Sequence, residues 1–401
     1  MVPRAHAIPP LKKPNMPTEV NEVALPQNKR SALATTLWAC QHFAAGITDL
    51  LVHEGEVIRA KTAAGVVPLS RVGNLPNADL VIHADEIKHF LASYVDNMPT
   101  TASANEYWER HIQPRLDRQE SINRSLPIPP ASKNQEPAQL RISLFLHARG
   151  RLAMSIRLVT QPTDLESVGL PEPLVDRIKT NPRGLIIITG ATGSGKTRTA
   201  YSILQYLNHH SQGHILTIED PIELNIKSAG CVVTQREVGY DTVSFYEGLL
   251  AAMRQAPEAV LAGEVRDQDA AQTAILGGES GALMLVTTHG SSIVGTIKRI
   301  LALSGGSDAF RSVLAGSLIG IVRLDLVAHT DGKQFSLVNE TLMGTTTVAQ
   351  ALQAGDWGAV EQICSRQTPT PDFFPMKPHI DALVKQKRVS LDAASRLQYA
   401  R

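Results

Sequence analysis

Gly184-Leu185-Ile186-Ile187-Ile188-Thr189 followed by Gly190-Ala191-Thr192-Gly193-Ser194-Gly195-Lys196-Thr197 decides the fold of this 401-residue chain. The first six residues are a short, β-branched apolar run with Gly-rich turn chemistry after it, which predicts a buried strand. Arg198 to Leu207 carries apolar residues at helical spacing and predicts a helix. Strand, G-x-x-x-x-G-K-T and helix together make a P-loop. Its glycines let backbone N–H groups turn inward around phosphate oxygens, and the helix N-terminus adds its positive dipole end. The binding set is Gly190, Ala191, Thr192, Gly193, Ser194, Gly195, Lys196, Thr197 and Arg198. Lys196 reaches the β- and γ-phosphates, and the Thr197 hydroxyl is a ligand for Mg²⁺. The stretch implies a bound nucleoside triphosphate.

The rest of the composition narrows the class. The chain is long enough for two or three domains, and 43% hydrophobic residues with 28 glycines fit a globular protein. A net charge of +1 gives no global reason to expect nucleic acid as a partner. Cys40, Cys231 and Cys364 are scattered without a C-x-x-C pair, which argues against a disulfide framework or a cysteine zinc site and for a reducing compartment. The N-terminus shows no apolar signal-peptide core. The longest apolar stretch, Val313 to Val322, is too short to span a bilayer, so membrane association is expected to be peripheral.

Organisation follows from pattern. Residues 1–30, Pro-rich and poor in large apolar residues, read as a flexible arm. Residues 31–162 read as an α+β domain. It has a helix over Ser31 to Ala45, paired strands on either side of Glu54-Gly55-Glu56, and a helix over Ala84 to Val95 with Asp85 as N-cap. A Pro-rich linker runs from Pro127 to Pro137, and a strand pair turns at Arg149-Gly150. Residues 163–344 alternate strand and helix as a parallel α/β core. Its later elements are a helix over Phe310 to Ile321 and a strand pair, Leu326 to His329 and Phe335 to Asn339, turning at Asp331-Gly332. Residues 345–401 read as a helical tail interrupted by the Pro-rich stretch Thr368 to Pro378.

Hydrolysis needs more than a phosphate cradle: a held metal, a polarised water and cations for transition-state charge. Carboxylates at the C-terminal ends of neighbouring strands supply the first two, because those ends face the same crevice as the P-loop. Glu219 and Asp220 end one predicted strand, and Glu264 ends another. Glu264 is the candidate for orienting or deprotonating water and Glu219 for the Mg²⁺ water shell, with the two roles open to exchange. His289 ends the next strand and is placed to sense the γ-phosphate. Arg236, Arg254 and Arg266 lie in loops expected to face the crevice.

At these residues the chain resembles the bacterial type II/type IV secretion ATPase superfamily, with its PilT-like, GspE-like and DotB/TraJ-like branches. Ile218-Glu219-Asp220-Pro221-Ile222-Glu223 resembles its Asp box. Gly263-Glu264-Val265-Arg266-Asp267 resembles its Walker B, and Thr287-Thr288-His289 its His box. Val238 to Phe245 and Met253 to Glu258 match the connecting signatures. Gly46-Ile47-Thr48-Asp49-Leu50 is similar to the opening strand of PilT-like proteins. Arg141 to Arg157 is similar to the strand pair before the core, so Arg141 and Arg157 map onto family arginines that close over nucleotide. The resemblance implies a RecA-like P-loop NTPase core, a PAS-like α+β N-terminal domain and a helical C-terminal tail. It also implies ATP and Mg²⁺ as cofactors, a homohexameric ring, and force transmitted to an inner-membrane platform or coupling protein from the cytoplasmic face of the inner membrane. The tetracysteine insert of GspE/PilB-like motors is absent. Val348 to Gly355 lacks the arginines of the PilT retraction signature, which weighs toward the DotB/TraJ-like branch: a type IVB or conjugation-like secretion motor. The alternatives are a pilus motor of the PilT kind, a RecA-like nucleic-acid translocase, and a nucleotide-binding scaffold without turnover. Only 4% aromatic residues and balanced charge weigh against the translocase. Intact Lys196, Glu219 and Glu264 weigh against the scaffold.

Overall fold

The computed structural model describes residues 31–43, 46–62, 65–73, 75–91, 101–128, 138–159, 162–330 and 335–399. The arm over residues 1–30, most of the linker before Pro137 and the turn at Asp331-Gly332 lie outside them. Contacts divide the chain near residue 160 into two compact units.

The first unit runs α1 (Ala32–Phe43), β1 (Ile47–His53), β2 (Arg59–Thr62), β3 (Gly65–Pro68), α2 (Ala84–His89), α3 (Thr101–Tyr107), α4 (Gln113–Asp117), β4 (Ile122–Ile128), β5 (Ala138–His147) and β6 (Arg151–Val159). Its strands form one antiparallel sheet in the order β3-β2-β1-β6-β5-β4. Strand alternation sends Leu50, Val52, Ile142, Leu144, Met154 and Ile156 to one face. There they share a core with Leu33, Leu37 and Trp38 of α1 and with Trp108 and Ile112 of the π-helical turn between α3 and α4.

Two features depart from expectation. Asp85 is not the N-cap of α2: His83 holds that position without a side-chain bond, and Asp85 lies in the first turn. The neighbouring Glu86 instead accepts the Leu33 N–H at the start of α1 (2.9 Å). Ile122–Ile128 reaches into the expected linker as an edge strand, a place where Pro127 does not interrupt the sheet.

The second unit contains α5 (Glu172–Thr180), β7 (Gly184–Gly190), α6 (Lys196–His210), β8 (His214–Glu219), β9 (Val232–Glu237), α7 (Phe245–Met253), β10 (Ala259–Ala262), α8 (Gln268–Gly277), β11 (Leu283–Thr288), α9 (Ile293–Leu303), α10 (Asp308–Ser317), β12 (Leu318–Ala328), β13 (Phe335–Met343), α11 (Thr346–Ala354), α12 (Trp357–Cys364), β14 (Phe373–Phe374), α13 (Lys377–Lys385) and α14 (Leu391–Tyr399). The sheet order is β14-β13-β12-β7-β11-β10-β8-β9. From β12 to β9 all neighbours are parallel, and β11 stands between the P-loop strand β7 and β10, the strand that leads into Glu264. This is the RecA-like order. Every residue of β7, β10 and β11 is buried, as expected for parallel strands covered on both faces.

The helix expected over Phe310 to Ile321 ends at Ser317, and Leu318 enters β12 beside β7. A continuous apolar run does not distinguish a buried strand from a buried helix by periodicity. The edge strand β9 was invisible for the opposite reason: Val-Val-Thr-Gln-Arg-Glu has no apolar face. Its N–H groups at Val233 and Glu237 are covered by Ser228 Oγ and Asp241 Oδ2, both at 2.9 Å. The C-terminal helices are part of this unit's interior. Val348, Leu352, Val360 and Ile363 join its core, and β14 pairs with β13. Met376, Ile380 and Leu383 pack with Val327 and Val338.

Candidate active site

The C-terminal ends of β7, β11, β10 and β8 are held level by parallel register, with Thr288 opposite Thr189, Val286 opposite Ala262, and Ala262 opposite Ile218. That puts the three loops leaving these strands and the P-loop at one crevice.

The P-loop needs its glycines. Gly190, Gly193 and Gly195 have φ of 150°, 80° and 95°, and a Cβ on Gly190 would lie 2.5 Å from the Leu324 carbonyl oxygen. A Cβ on Gly193 would meet nothing within 4 Å, so that side of the loop is open. With Gly195 at its N-cap, α6 has no side-chain cap, which leaves its first N–H groups for an anion. Ser194 is 3% exposed, yet its hydroxyl has no hydrogen-bond partner, nor does that of Thr288. Lys196 Nζ donates to the Gly190 and Ala191 carbonyls, both at 2.9 Å. Partial burial lowers its pKa, against the attraction of Glu264 and Glu223. Open glycine backbone, an uncapped helix start, a lysine and an orphaned hydroxyl suit a polyphosphate, and Thr197 in the first helical turn suits its metal.

A chain of polar contacts leaves Lys196. Its ammonium lies 3.4 Å from His289 Nδ1. His289 Nε2 is 3.1 Å from Glu264 Oε1. Arg266 Nη2 donates to Glu264 Oε2 at 2.7 Å, and Arg266 Nη1 is 3.6 Å from Asp220 Oδ2. Partial burial works against the Glu264 charge, but the Arg266 bond, with the charges of Arg266, His289 and Lys196, holds its pKa below the usual value.

The local sequence explains this geometry. Gly263 passes so close to β8 that a Cβ would lie 2.9 Å from the Ile218 carbonyl oxygen. Val265 is buried in the core, and Asp267 caps α8 by accepting the Ala270 N–H at 2.9 Å. Glu264 and Arg266, between these anchors, are left for the crevice. Thr287 Oγ1 also donates to the Gly263 carbonyl. Gly290 succeeds His289 where a Cβ would collide with Thr296 and Thr189, whose hydroxyls are 3.0 Å apart.

Glu219 differs from the placement expected for it. Its carboxylate is not in the crevice: the residue is 3% exposed, and Oε2 accepts from Tyr201 Oη at 2.5 Å. Oε1 accepts from Thr217 Oγ1 at 2.6 Å and Gln235 Nε2 at 3.3 Å. Burial pushes its pKa up to about 7, although all three donors favour the charged form. Tyr201 and Gln235 were not singled out from sequence. Of the three arginines expected at the crevice, only Arg266 joins these contacts. Arg236 lies within β9 and donates to the Asp241 carbonyl at 2.6 Å, and Arg254 caps the C-terminus of α7. Arg141 and Arg157 belong to the first unit, opposite one another on β5 and β6, and Arg157 Nε donates to Asp49 Oδ1 at 3.0 Å.

Among the described residues no helix is long and apolar enough to cross a membrane, and no cluster of three or more His, Cys, Asp or Glu could hold a metal. The type II/IV secretion system protein family matches residues 132–398, about two thirds of the chain. The type IV pilus retraction ATPase PilT of Pseudomonas aeruginosa is 35% identical over 218 residues, 54% of this chain and 63% of that protein. The chain thus aligns with somewhat under two thirds of that relative's length. The pilus retraction motor PilT with bound ADP superposes with a TM-score of 0.66 at 27% identity, covering 88% of this chain and 93% of that one. The Yersinia pseudotuberculosis ATPase DotB superposes with a TM-score of 0.72 over 98% of this chain and 100% of that one; at 22% identity it speaks for the fold alone. The extent of the family match, with the Asp-box, Walker B and His-box residues gathered at one crevice, makes this chain a member of the type II/IV secretion system protein family.

Proposed function

We propose that this chain hydrolyses ATP and uses the energy as a motor of a bacterial type IV secretion system, of the type IVB or conjugation-like kind. The observation that carries the reading is the run of contacts from Lys196 through His289 to Glu264 beside an open P-loop. Backbone N–H groups of residues 190–198 bind the phosphates, and Lys196 leaves its two carbonyl partners to meet them. Glu264 orients or deprotonates the attacking water, and its bond to His289 ties the state of this base to the γ-phosphate. Thr197, and Glu219 through water once it turns outward, hold magnesium, which when bound screens phosphate charge. Arg141 and Arg157 close over nucleotide and stabilise transition-state charge.

The working form is a homohexamer at the cytoplasmic face of the inner membrane, reaching the membrane only through a platform or coupling protein and binding no nucleic acid directly. A pilus motor is the second reading, favoured by the identity to PilT. Purified full-length protein with ATP and magnesium tests the proposal. Phosphate release and a nucleotide-dependent ring in light scattering are expected. A monomer that releases no phosphate, even with its membrane partner supplied, contradicts it. A deletion strain separates the two readings: lost substrate transfer supports secretion, and lost twitching supports the pilus.

A further inference from the structure

The helix that carries Lys196 also carries the residue that closes over Glu219. Tyr201 lies five residues into α6 from Lys196 and is fully buried. Its hydroxyl donates to Glu219 and stands 3.5 Å from the Leu224 N–H and 3.3 Å from Gln235 Nε2. Gln235, reaching in from β9, holds the same loop by two backbone groups: Nε2 donates to the Leu224 carbonyl at 2.8 Å, and Oε1 accepts the Ile226 N–H at 2.6 Å. Two turns further along α6, Asn208 grips the loop's far end, with Nδ2 on the Lys227 carbonyl at 2.8 Å and Oδ1 on the Ala229 N–H at 3.0 Å. Residues seven apart share one helix face, so α6 meets the acidic loop with one polar edge. The Glu219 carboxylate has three donors here and little reason to leave unless those donors move.

We propose that Tyr201 is a positioning residue: its hydroxyl fastens Glu219 and the loop over residues 220–226 to the P-loop helix, so that filling the P-loop decides where Glu219 points. This rests on the ATPase reading above. A bond from the first turns of α6 to the tip of β8 makes any shift of that helix a change in the Glu219 cage. The turn carrying Asp220 and Glu223 moves with it. A merely structural staple would hold the loop equally in the free and nucleotide-bound protein.

The test is amide hydrogen exchange in the full-length protein and in Tyr201→Phe, each with and without a non-hydrolysable ATP analogue and magnesium. Analogue affinity and steady-state kinetics are measured on the same samples. In the wild type, nucleotide changes exchange at Leu224 and Ile226 by about tenfold. In Tyr201→Phe the Leu224 amide exchanges faster without nucleotide and this response is lost. Analogue affinity stays within about twofold while kcat falls about tenfold at unchanged KM. A loop indifferent to nucleotide in the wild type, or a variant that keeps both the response and kcat, overturns the inference while leaving the ATPase reading standing. Failure of the wild type to bind the analogue defeats that reading itself. Should Tyr201→Phe not fold, Gln235→Met tests the same fastening from β9, with the response at Ile226 expected to disappear and its persistence counting against the proposal.

Discussion

Glu219 and Glu264 leave neighbouring parallel strands at the same level of one sheet, and their carboxylates meet opposite conditions. Glu219 is enclosed by three uncharged donors, and burial raises its pKa to about 7. Glu264 lies between Arg266 and His289, with its pKa held below the usual value. The fold places both carboxylates near the crevice, but the residues around each strand end decide their chemistry. After β10, Gly263 and Val265 anchor a short turn that presents Glu264 outward. At the end of β8, Tyr201 and Gln235 draw Glu219 inward. One acid is ready at neutral pH and the other is in reserve.

Glu264→Gln breaks this comparison most severely. It keeps the shape and removes the base, so turnover should fall about 10²- to 10³-fold while ATP affinity changes little. Equal activity would show that the chemistry lies elsewhere, with Glu219 the first alternative. Glu219→Gln tests the other half through stability. The folded state holds the Glu219 proton up to about pH 7, against an ordinary value of 4.5, so the wild type loses stability as pH rises through that window. Urea unfolding at pH 8 should therefore find the variant more stable by about 1–3 kcal/mol. Below pH 4.5 the two proteins should converge. A difference independent of pH would mean that the carboxyl is not buried as a proton-holding group. Arg266→Gln gives the smallest effect: losing that cation raises the Glu264 pKa, so the acid limb of kcat against pH should move to higher pH. An unmoved limb would assign the depression of Glu264 to His289 and Lys196.

The two acids also mark where sequence reading succeeds and where it stops. Glu264 was legible because its neighbours each play a local part. Gly263 allows close approach, Val265 anchors, Arg266 pairs and Asp267 caps. The P-loop was legible for the same reason. The inward turn of Glu219 depends on Tyr201 and Gln235, from α6 and from an edge strand with no apolar period, and no local pattern announces such a meeting. Likewise Leu318 to Ile321 looks helical until its place beside β7 is known. Arg236 and Arg254 were assigned to the crevice by proximity to motifs, and strand pairing and helix ending place them otherwise.

The central claim is that one crevice divides its work between a lysine that holds triphosphate and a glutamate that drives its cleavage. Measuring ATP affinity and phosphate release side by side in the wild type, Lys196→Ala and Glu264→Gln tests it most directly. Lys196→Ala should lose binding and turnover together, whereas Glu264→Gln should bind ATP like the wild type and release almost no phosphate. Undiminished phosphate release from either variant would contradict the account.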